Sequence, residues 1–272
     1  MPDDQAGGAA APVRPVPFRG GGFRPQTNSL VSWSVFIGLI LAWEAGSRLG
    51  LISPIALPAP SQVIGALVDL VRSGMLWRNL SVSMMRLGSG WVLGSILGIA
   101  VGLMIGLFTI ARAALLQLVS ALFAVPKIAL LPLFIVWFGI GETSKIATIL
   151  FGSFFPMAIA TYSGVDNVDR GLIRMGQSFG LSWGSIVRKI ILPGALPAIL
   201  SGLRISSAIA IVLLVAAETI GAQYGIGAYI LQAGSLFAID QLIAGVTILA
   251  VIGLLISWAI AQAEKRFLDW RS

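Results

Sequence analysis

The sequence contains no cysteine and no histidine among its 272 residues. Without cysteine, the chain cannot form a disulfide, a thiolate nucleophile or a thiolate metal site. Without histidine, it also lacks the usual general base and the commonest metal ligand. We therefore expect no enzyme activity in this chain, and we predict no catalytic residue, no metal site and no cofactor site.

A nucleotide-binding motif is missing as well. The P-loop needs the pattern G-x-x-x-x-G-K-[ST], in which backbone N–H groups and a lysine hold the phosphates. This sequence has no Gly-Lys pair at any position. If the protein works with ATP, the ATP and its Mg²⁺ must be bound by another polypeptide.

Charged residues are scarce, at 11% of the chain, whereas 57% of the residues are hydrophobic and the mean hydropathy is +0.94. Such a composition is typical of an all-α integral membrane protein whose solvent is lipid. The net charge of +7 would suggest nucleic acid as a partner of a soluble protein. Here the basic residues flank apolar runs, as topology signals do, and we expect no nucleic-acid partner.

Six apolar runs approach or exceed the roughly 20 residues that a membrane-spanning helix needs. They lie at about residues 30–50, 87–110, 113–140, 144–163, 196–220 and 242–262. Residues 1–28 are rich in Pro, Gly and Ala and carry basic residues, which predicts a disordered cytoplasmic tail. Residues 29–272 are expected to form one transmembrane domain.

Residues 51–86 are too polar and too interrupted by proline to span the membrane. Ser61 is a plausible N-cap for a short helix within them. The apolar residues that follow fall on one helical face: Val63, Ile64, Leu67, Leu70 and Val71. We predict an amphipathic helix on the periplasmic side, lying at the membrane surface or against the bundle.

Glycines recur in the second predicted span, mostly every four residues: Gly88, Gly90, Gly94, Gly98, Gly102 and Gly106. A stripe of small residues allows another helix to approach closely in lipid. The sequence leaves open whether that helix belongs to the same subunit or to a second copy.

The stretch Asp166–Pro193 is charged although its neighbours are apolar, which predicts a water-facing loop. Its pattern indicates two short helices. Asp169 can cap the first helix, and Gly180 can take the left-handed conformation that ends it. Ser182 can cap the second helix, and Pro193 is expected to stop it.

The positive-inside rule orients the chain. If this loop and both termini share one side, that side holds twelve of the 18 basic residues and the remainder of the molecule holds six. The loop and both termini are therefore predicted to be cytoplasmic.

The loop also carries a resemblance to a known family. Gly180, nine residues, Ile190, one residue and Leu192-Pro193 resemble the cytoplasmic loop motif E-A-A-x3-G-x9-I-x-L-P of permease subunits of ATP-binding-cassette importers. The strings LPAPSQVIGALVDLVRSG at residues 57–74 and LLPLFIVWFGIGETSKI at residues 130–146 resemble the nitrate, sulfonate and taurine subfamily. One feature departs from the motif, because Arg174, Met175 and Gly176 replace Glu-Ala-Ala.

This resemblance implies a type I ABC importer permease fold in a bacterial inner membrane, working as a homodimer. It also implies a separate ATPase dimer docked on the loops, a periplasmic or lipid-anchored solute-binding protein outside, and a small anionic solute of the sulfonate, taurine or nitrate class. The motif positions mark eight residues as ATPase-coupling residues: Arg174, Met175, Gly176, Gly180, Ser182, Ile190, Leu192 and Pro193.

Three polar residues within the predicted spans are candidates for the translocation path: Lys127, Glu218 and Ser206. Charges at membrane depth are costly and often functional. Lys127 can attract an anion, pair with Glu142, or bind carbonyls freed by Pro132. Glu218 can act in gating or in a structural ion pair, and Ser206 can bind solute or serve packing.

An ion-gradient-driven secondary carrier is the alternative function. Such carriers often show two internal halves and carboxylates at the membrane midplane. The sequence shows neither clearly.

Overall fold

The computed structural model describes residues 29–53 and 55–267, and within these ranges the chain is helical with no β-strand. Eleven α-helices occur in these ranges: α1 Ser29–Arg48, α2 Pro60–Arg72, α3 Met75–Leu107, α4 Thr109–Phe123, α5 Leu131–Phe138, α6 Glu142–Asp166, α7 Arg170–Ser178, α8 Trp183–Ile186, α9 Leu192–Thr219, α10 Ile226–Ser235 and α11 Ile239–Phe267. The tail predicted to be disordered, residues 1–28, lies outside the described residues.

Five helical segments are long and apolar enough to cross a membrane: Leu30–Arg48, Met75–Leu107, Glu142–Asp166, Trp183–Thr219 and Ile239–Phe267. The sixth predicted span, residues 113–140, is not one continuous helix. It consists of α4 and the segment Lys127–Phe138, which meet at 92°. The break falls at Pro126, because proline lacks an N–H group and disfavours helical geometry in the residue before it.

The start of α3 differs from the prediction. We expected this span to begin at residue 87, but α3 begins at Met75. Polar residues in its first turns suggested a non-spanning segment. In the folded chain Asn79, Ser83 and Arg86 are buried and hydrogen-bonded, so their polarity does not end the helix.

The prediction that Pro193 stops a helix is wrong. The chain stays helical from Trp183 to Thr219, and Val187–Ile191 form a π-helical turn just before the proline. A π turn widens the backbone spiral, which accommodates a residue that cannot donate the usual hydrogen bond. The loop is therefore joined to a long membrane helix without a break.

Helices α3, α6 and α9 form the core of the bundle, and glycines bring α3 close to α6. A Cβ atom at Gly98 would lie 2.7 Å from Cβ of Met157, and a Cβ atom at Gly106 would lie 2.7 Å from Cβ of Val165. Gly90, Gly94 and Gly102 also face α6, whereas Gly88 faces open space. The stripe thus serves packing within one subunit, which decides the question that the sequence left open.

The amphipathic helix is confirmed as α2. Val63 and Ala66 are buried and pack with Ala244 of α11. The first turn is not capped by Ser61 as predicted. Ala59 is the N-cap, and its N–H donates to the side-chain oxygen of Gln62 at 3.0 Å.

The predicted apolar face of α2 is only partly correct. Leu70 is buried, but Ile64 and Val71 are exposed. Ser61 instead donates its hydroxyl to Glu44 of α1 at 2.8 Å. This contact helps to attach α1 to the start of α2.

Candidate functional site

The charged loop and Glu218 lie at opposite ends of α9. This helix begins at Leu192, directly after the loop, and Glu218 lies in its last turn. At 1.5 Å per residue the separation is about 39 Å along the helix axis. Helix α6 runs between the same two ends, since it starts at Glu142 and finishes at Asp166 where the loop begins.

The two N-caps and the left-handed turn predicted for the loop are confirmed. The Gly171 N–H donates to the Asp169 carboxylate at 2.7 Å at the start of α7, and the Ser185 N–H donates to the Ser182 hydroxyl at 3.4 Å at the start of α8. Gly180 has a φ angle of +71°. A Cβ atom there would meet nothing within 4 Å, so this position needs glycine for its backbone conformation and not for space.

A groove of about 860 Å³ opens between α7 and the π-helical turn. Its lining is mostly apolar and includes Leu172, Met175, Phe179, Ile190 and Pro193. The Phe179 side chain is 79% exposed although the surrounding loop is rich in charge. An exposed apolar groove on a polar element is typical of a surface that receives a partner.

The loop motif contributes to this groove in two ways. Met175, Gly176, Ile190 and Pro193 line the groove, and Gly180 shapes the turn beside it. A Cβ atom at Gly176 would lie 2.9 Å from the Ile190 side chain, so the small residue keeps α7 close to the π turn.

The three remaining motif residues sit around the groove. Ser182 caps α8, and Leu192 begins α9. Arg174 is exposed on α7. The motif residues thus lie close together in and around one groove.

A buried polar cluster occupies the other end of the bundle. Glu218 accepts hydrogen bonds from the Ser83 hydroxyl at 2.7 Å, from Arg86 Nη1 at 2.8 Å and from the Gly227 N–H at 2.7 Å. The residues Glu218, Ser83 and Arg86 are each at most 2% exposed. The carboxylate is thus both paired and hydrogen-bonded, which offsets the cost of burying its charge.

This cluster fixes the first turn of α10. The Gly225 N–H donates to the Asn79 side chain at 2.9 Å, and the Ile226 N–H donates to the Ser83 hydroxyl at 2.9 Å. The carboxylate of Glu218 also lies against Gly225, where a Cβ atom would clash with it. The connection between α9 and α10 is therefore held to α3 by hydrogen bonds from backbone groups.

Arg86 extends the cluster to the start of α6. Its Nε and Nη2 atoms donate to the two oxygens of Glu142 at 2.5 and 2.6 Å, a bidentate pair. Its Nη1 atom also donates to the Tyr224 carbonyl at 2.7 Å. Nearby, Lys145 is 3% exposed, and its ammonium donates to the Gly141 carbonyl at 2.9 Å.

A family model described as binding-protein-dependent transport system inner membrane component matches residues 94–269. The chain belongs to this family. This permease is thus a multi-pass inner-membrane protein and a transport subunit without enzyme activity, and membership implies ATPase and solute-binding partners.

Curated relatives cover most of the permease. It is 37% identical over 237 residues to the taurine transport system permease protein of Escherichia coli (strain K12), which covers 85% of this chain and 86% of the relative. It is 36% identical over 234 residues to a permease protein of Bacillus subtilis (strain 168) assigned to aliphatic sulfonates transport, with 86% and 85% covered. The resemblance inferred from the sequence motifs is confirmed.

Solved structures agree on the fold. One inward-facing structure of a methionine ABC transporter superposes with a TM-score of 0.59 at 23% identity, covering 73% of the permease and 95% of that chain. An amino acid ABC transporter superposes with a TM-score of 0.53 at 21% identity, covering 74% and 98%. These likenesses confirm the predicted type I importer permease fold.

The structure does not bring the three predicted path residues of the permease together. Ser206 is buried, accepts a hydrogen bond from Trp91 at 2.9 Å and donates to the Leu203 carbonyl. Glu218 lies twelve positions further along α9, about 18 Å away along the axis.

The proposed pairing of Lys127 with Glu142 is wrong, because Arg86 holds Glu142. Lys127 instead donates to the Phe123 carbonyl, and its ammonium lies 4.6 Å from the Phe123 ring centroid and 5.5 Å from that of Phe155. The carbonyl it binds is at the end of α4, next to the break at Pro126. Lys127 therefore stabilises the broken span.

Sequence reasoning missed Asn79, Ser83, Arg86 and Lys145 as a cluster. A signal was present, since Asn79, Ser83 and Arg86 follow one another at spacings of four and three residues on one helical face. A polar stripe of this kind inside an otherwise apolar helix indicates buried polar partners.

Proposed function

We propose that this permease, as a homodimer, forms the translocation path of an importer for a small organic sulfonate such as taurine. A separate ATPase dimer drives it from the cytoplasmic side, and a solute-binding protein delivers the solute from outside. The observation that carries the proposal is an exposed apolar groove in a charged loop of a chain that has no nucleotide-binding motif. The taurine and aliphatic sulfonate relatives support the substrate class.

In this proposal the loop 166–193 and both termini are cytoplasmic, and the α9–α10 connection lies outside. The excess of basic residues on the side of the loop supports this orientation. In this orientation α2 lies on the periplasmic side. The ATPase then meets the groove through Met175, Phe179 and Ile190.

Coupling follows from the continuity of the helix after the loop. Movement of the ATPase displaces α7 and the π-helical turn, and the unbroken helical path from Trp183 to Thr219 carries that displacement across the membrane. At its far end, Glu218 is bonded to α3 and α10. A push on the cytoplasmic loop therefore moves the outer end of the path, as alternating access requires.

The gradient-driven alternative gains no support from Glu218. Glu218 is 1% exposed and is ion-paired with Arg86, which is the structural pairing that the sequence allowed. We therefore retain the ATP-driven importer as the proposed function.

The test is taurine uptake by proteoliposomes that contain the permease, its cognate ATPase and its solute-binding protein. We expect uptake only when ATP and all three components are present. Uptake without the ATPase, or uptake driven by an ion gradient alone, would contradict the importer. ATP-dependent uptake of nitrate but not of taurine or ethanesulfonate would contradict the substrate class.

A further inference from the structure

A second groove, of about 390 Å³, opens at the end of the bundle opposite the cytoplasmic loop. It lies where α3 meets the α5–α6 and α9–α10 connections. Met85, Arg86, Glu142, Lys145, Gln223 and Tyr224 are among its lining residues. Two cations thus face one small groove at the end of the permease where, by the proposed orientation, solute arrives.

The positive groups of this groove are fixed. Arg86 and Lys145 are 2% and 3% exposed, and Glu218 holds one edge of the Arg86 guanidinium. Lys145 donates to a carbonyl and makes no ion pair within residues 29–53 and 55–267. The start of α6 adds a positive helix end, since its N-cap is Gly141, which has no side chain to accept from the first N–H groups.

The remaining negative group in the groove, Glu142, is partly exposed to water. The Glu142 side chain is 47% exposed, and Arg86 is its ion-pair partner. Rotation of Glu142 into water requires little further exposure, whereas Glu218 is enclosed by three donors. The other edge of Arg86, Nε and Nη2, is a bidentate site that suits any carboxylate or sulfonate.

We propose that this groove is an outer binding subsite for the acid group of the solute, and that the Glu142 carboxylate occupies it when no solute is bound. The solute displaces Glu142 from Nε and Nη2 of Arg86, and Lys145 and the start of α6 attract it. The exchange keeps the charge of the subsite constant, because one anion replaces another beside Arg86, Lys145 and Glu218. This inference rests on the proposed substrate class.

Glu142 then acts as a tethered competitor. If it vacates Arg86 in one tenth of the molecules, the apparent affinity for an anion falls about tenfold. Removal of the Glu142 carboxylate should therefore raise the apparent affinity by the same factor. A weak resting affinity suits a transport path, since a solute that binds tightly at the entrance would not move on.

The test measures binding of ethanesulfonate to the full permease with its ATPase in nanodiscs, by calorimetry. We expect Glu142→Gln to bind ethanesulfonate about tenfold more tightly than the unmodified protein. Ethanesulfonamide, which is neutral and of similar size, should show no gain. Glu264→Gln is the matched control, since it removes a carboxylate from a half-exposed pair with Arg204 elsewhere on the molecule.

Lys145→Met in the Glu142→Gln background should abolish the gain. If the Gln variant is not monodisperse, Glu142→Asp, which keeps the charge but shortens its reach, should give a smaller gain. Equal affinities in the unmodified protein and in each folded Glu142 variant would overturn the subsite. Because this binding assay needs no transport, such a result beside normal taurine uptake would leave the proposed function intact. Tight ethanesulfonate binding without uptake of any sulfonate would instead contradict the proposed function.

Discussion

Arg86 and Glu218 are 132 residues apart in the sequence, and their side chains form an ion pair of 2.8 Å that is buried on both sides. The pair joins α3 to the last turn of α9. Since Glu218 also accepts from Gly227, the same carboxylate holds the start of α10. Three helices therefore depend on one acidic residue at the end of the bundle opposite the loop 166–193.

Glu218→Gln should destabilise the permease strongly. The substitution leaves Arg86 with only the half-exposed Glu142 as an ion-pair partner, and loss of one partner from a buried ion pair costs about 3–5 kcal/mol. We expect a clear fall in the unfolding temperature of the purified protein in detergent. Glu264→Gln, which breaks the half-exposed pair with Arg204, should cost less than about 1 kcal/mol. Equal effects of the two substitutions would show that the buried pair contributes no more than a surface pair.

Gly98→Leu should disrupt the packing of α3 on α6. A Cβ atom at Gly98 would lie 2.7 Å from both Met157 Cβ and the Phe154 carbonyl oxygen. Overpacking of this kind costs about 1–3 kcal/mol or more, because backbone must move. The yield of monodisperse protein and its unfolding temperature measure the effect. Gly88→Leu is the control, since a Cβ atom there meets nothing within 4 Å; if it is equally harmful, the cause is not the α3–α6 contact.

Phe179→Ser should weaken ATPase association without unfolding the permease. Phe179 is 79% exposed and lines the 860 Å³ groove beside α7, so its removal costs the isolated chain little. We expect less ATPase to co-purify and a lower rate of ATP hydrolysis. Phe237→Ser is the control, since Phe237 is 77% exposed just before α11, far from the loop 166–193. Unchanged co-purification in Phe179→Ser would remove this residue from the docking surface.

Gly180→Val should impair coupling through the backbone. A β-branched residue at a φ angle of +71° is strained by about 1–2 kcal/mol, although its side chain meets open space. The turn between α7 and α8 should shift, and uptake per ATP hydrolysed should fall. Gly184→Val, two positions into the helical region of α8, should retain coupling. A fully coupled Gly180→Val protein would contradict the need for this turn.

The absence of cysteine allows the orientation to be tested with single cysteines. Ser178 and Ser235 are both exposed, and each hydroxyl donates to the carbonyl four residues earlier. In intact cells, a membrane-impermeant maleimide should label Ser235→Cys directly. Ser178→Cys should react only after the membrane is permeabilised. The opposite pattern would reverse the proposed orientation.

Much of the fold could be predicted because its causes are local. Apolar runs indicate membrane helices in any tertiary context, and the caps at Asp169 and Ser182 involve residues two or three positions away. Gly180 could be identified because a left-handed turn is a property of a single residue. The loop motif lies within one short segment, so the family could also be predicted from local sequence.

The errors arose where tertiary partners overrode local signals. Pro126 breaks the third span whereas Pro193 does not end a helix, because a π turn precedes the second proline. Polar residues in the first turns of α3 predicted a segment outside the membrane bundle. These polar residues bind distant partners that the local pattern does not contain.

The sequence by itself determined that this protein lies in a membrane, carries no P-loop motif, and presents a capped, charged loop to water. These properties follow from composition and from contacts within a few residues. Only the tertiary structure decided that Arg86 lies between Glu218 and Glu142, and that the glycine stripe packs on α6. Arg86 is 56 positions from Glu142 and 132 positions from Glu218 in the sequence. Folding alone brings such distant groups within hydrogen-bonding distance.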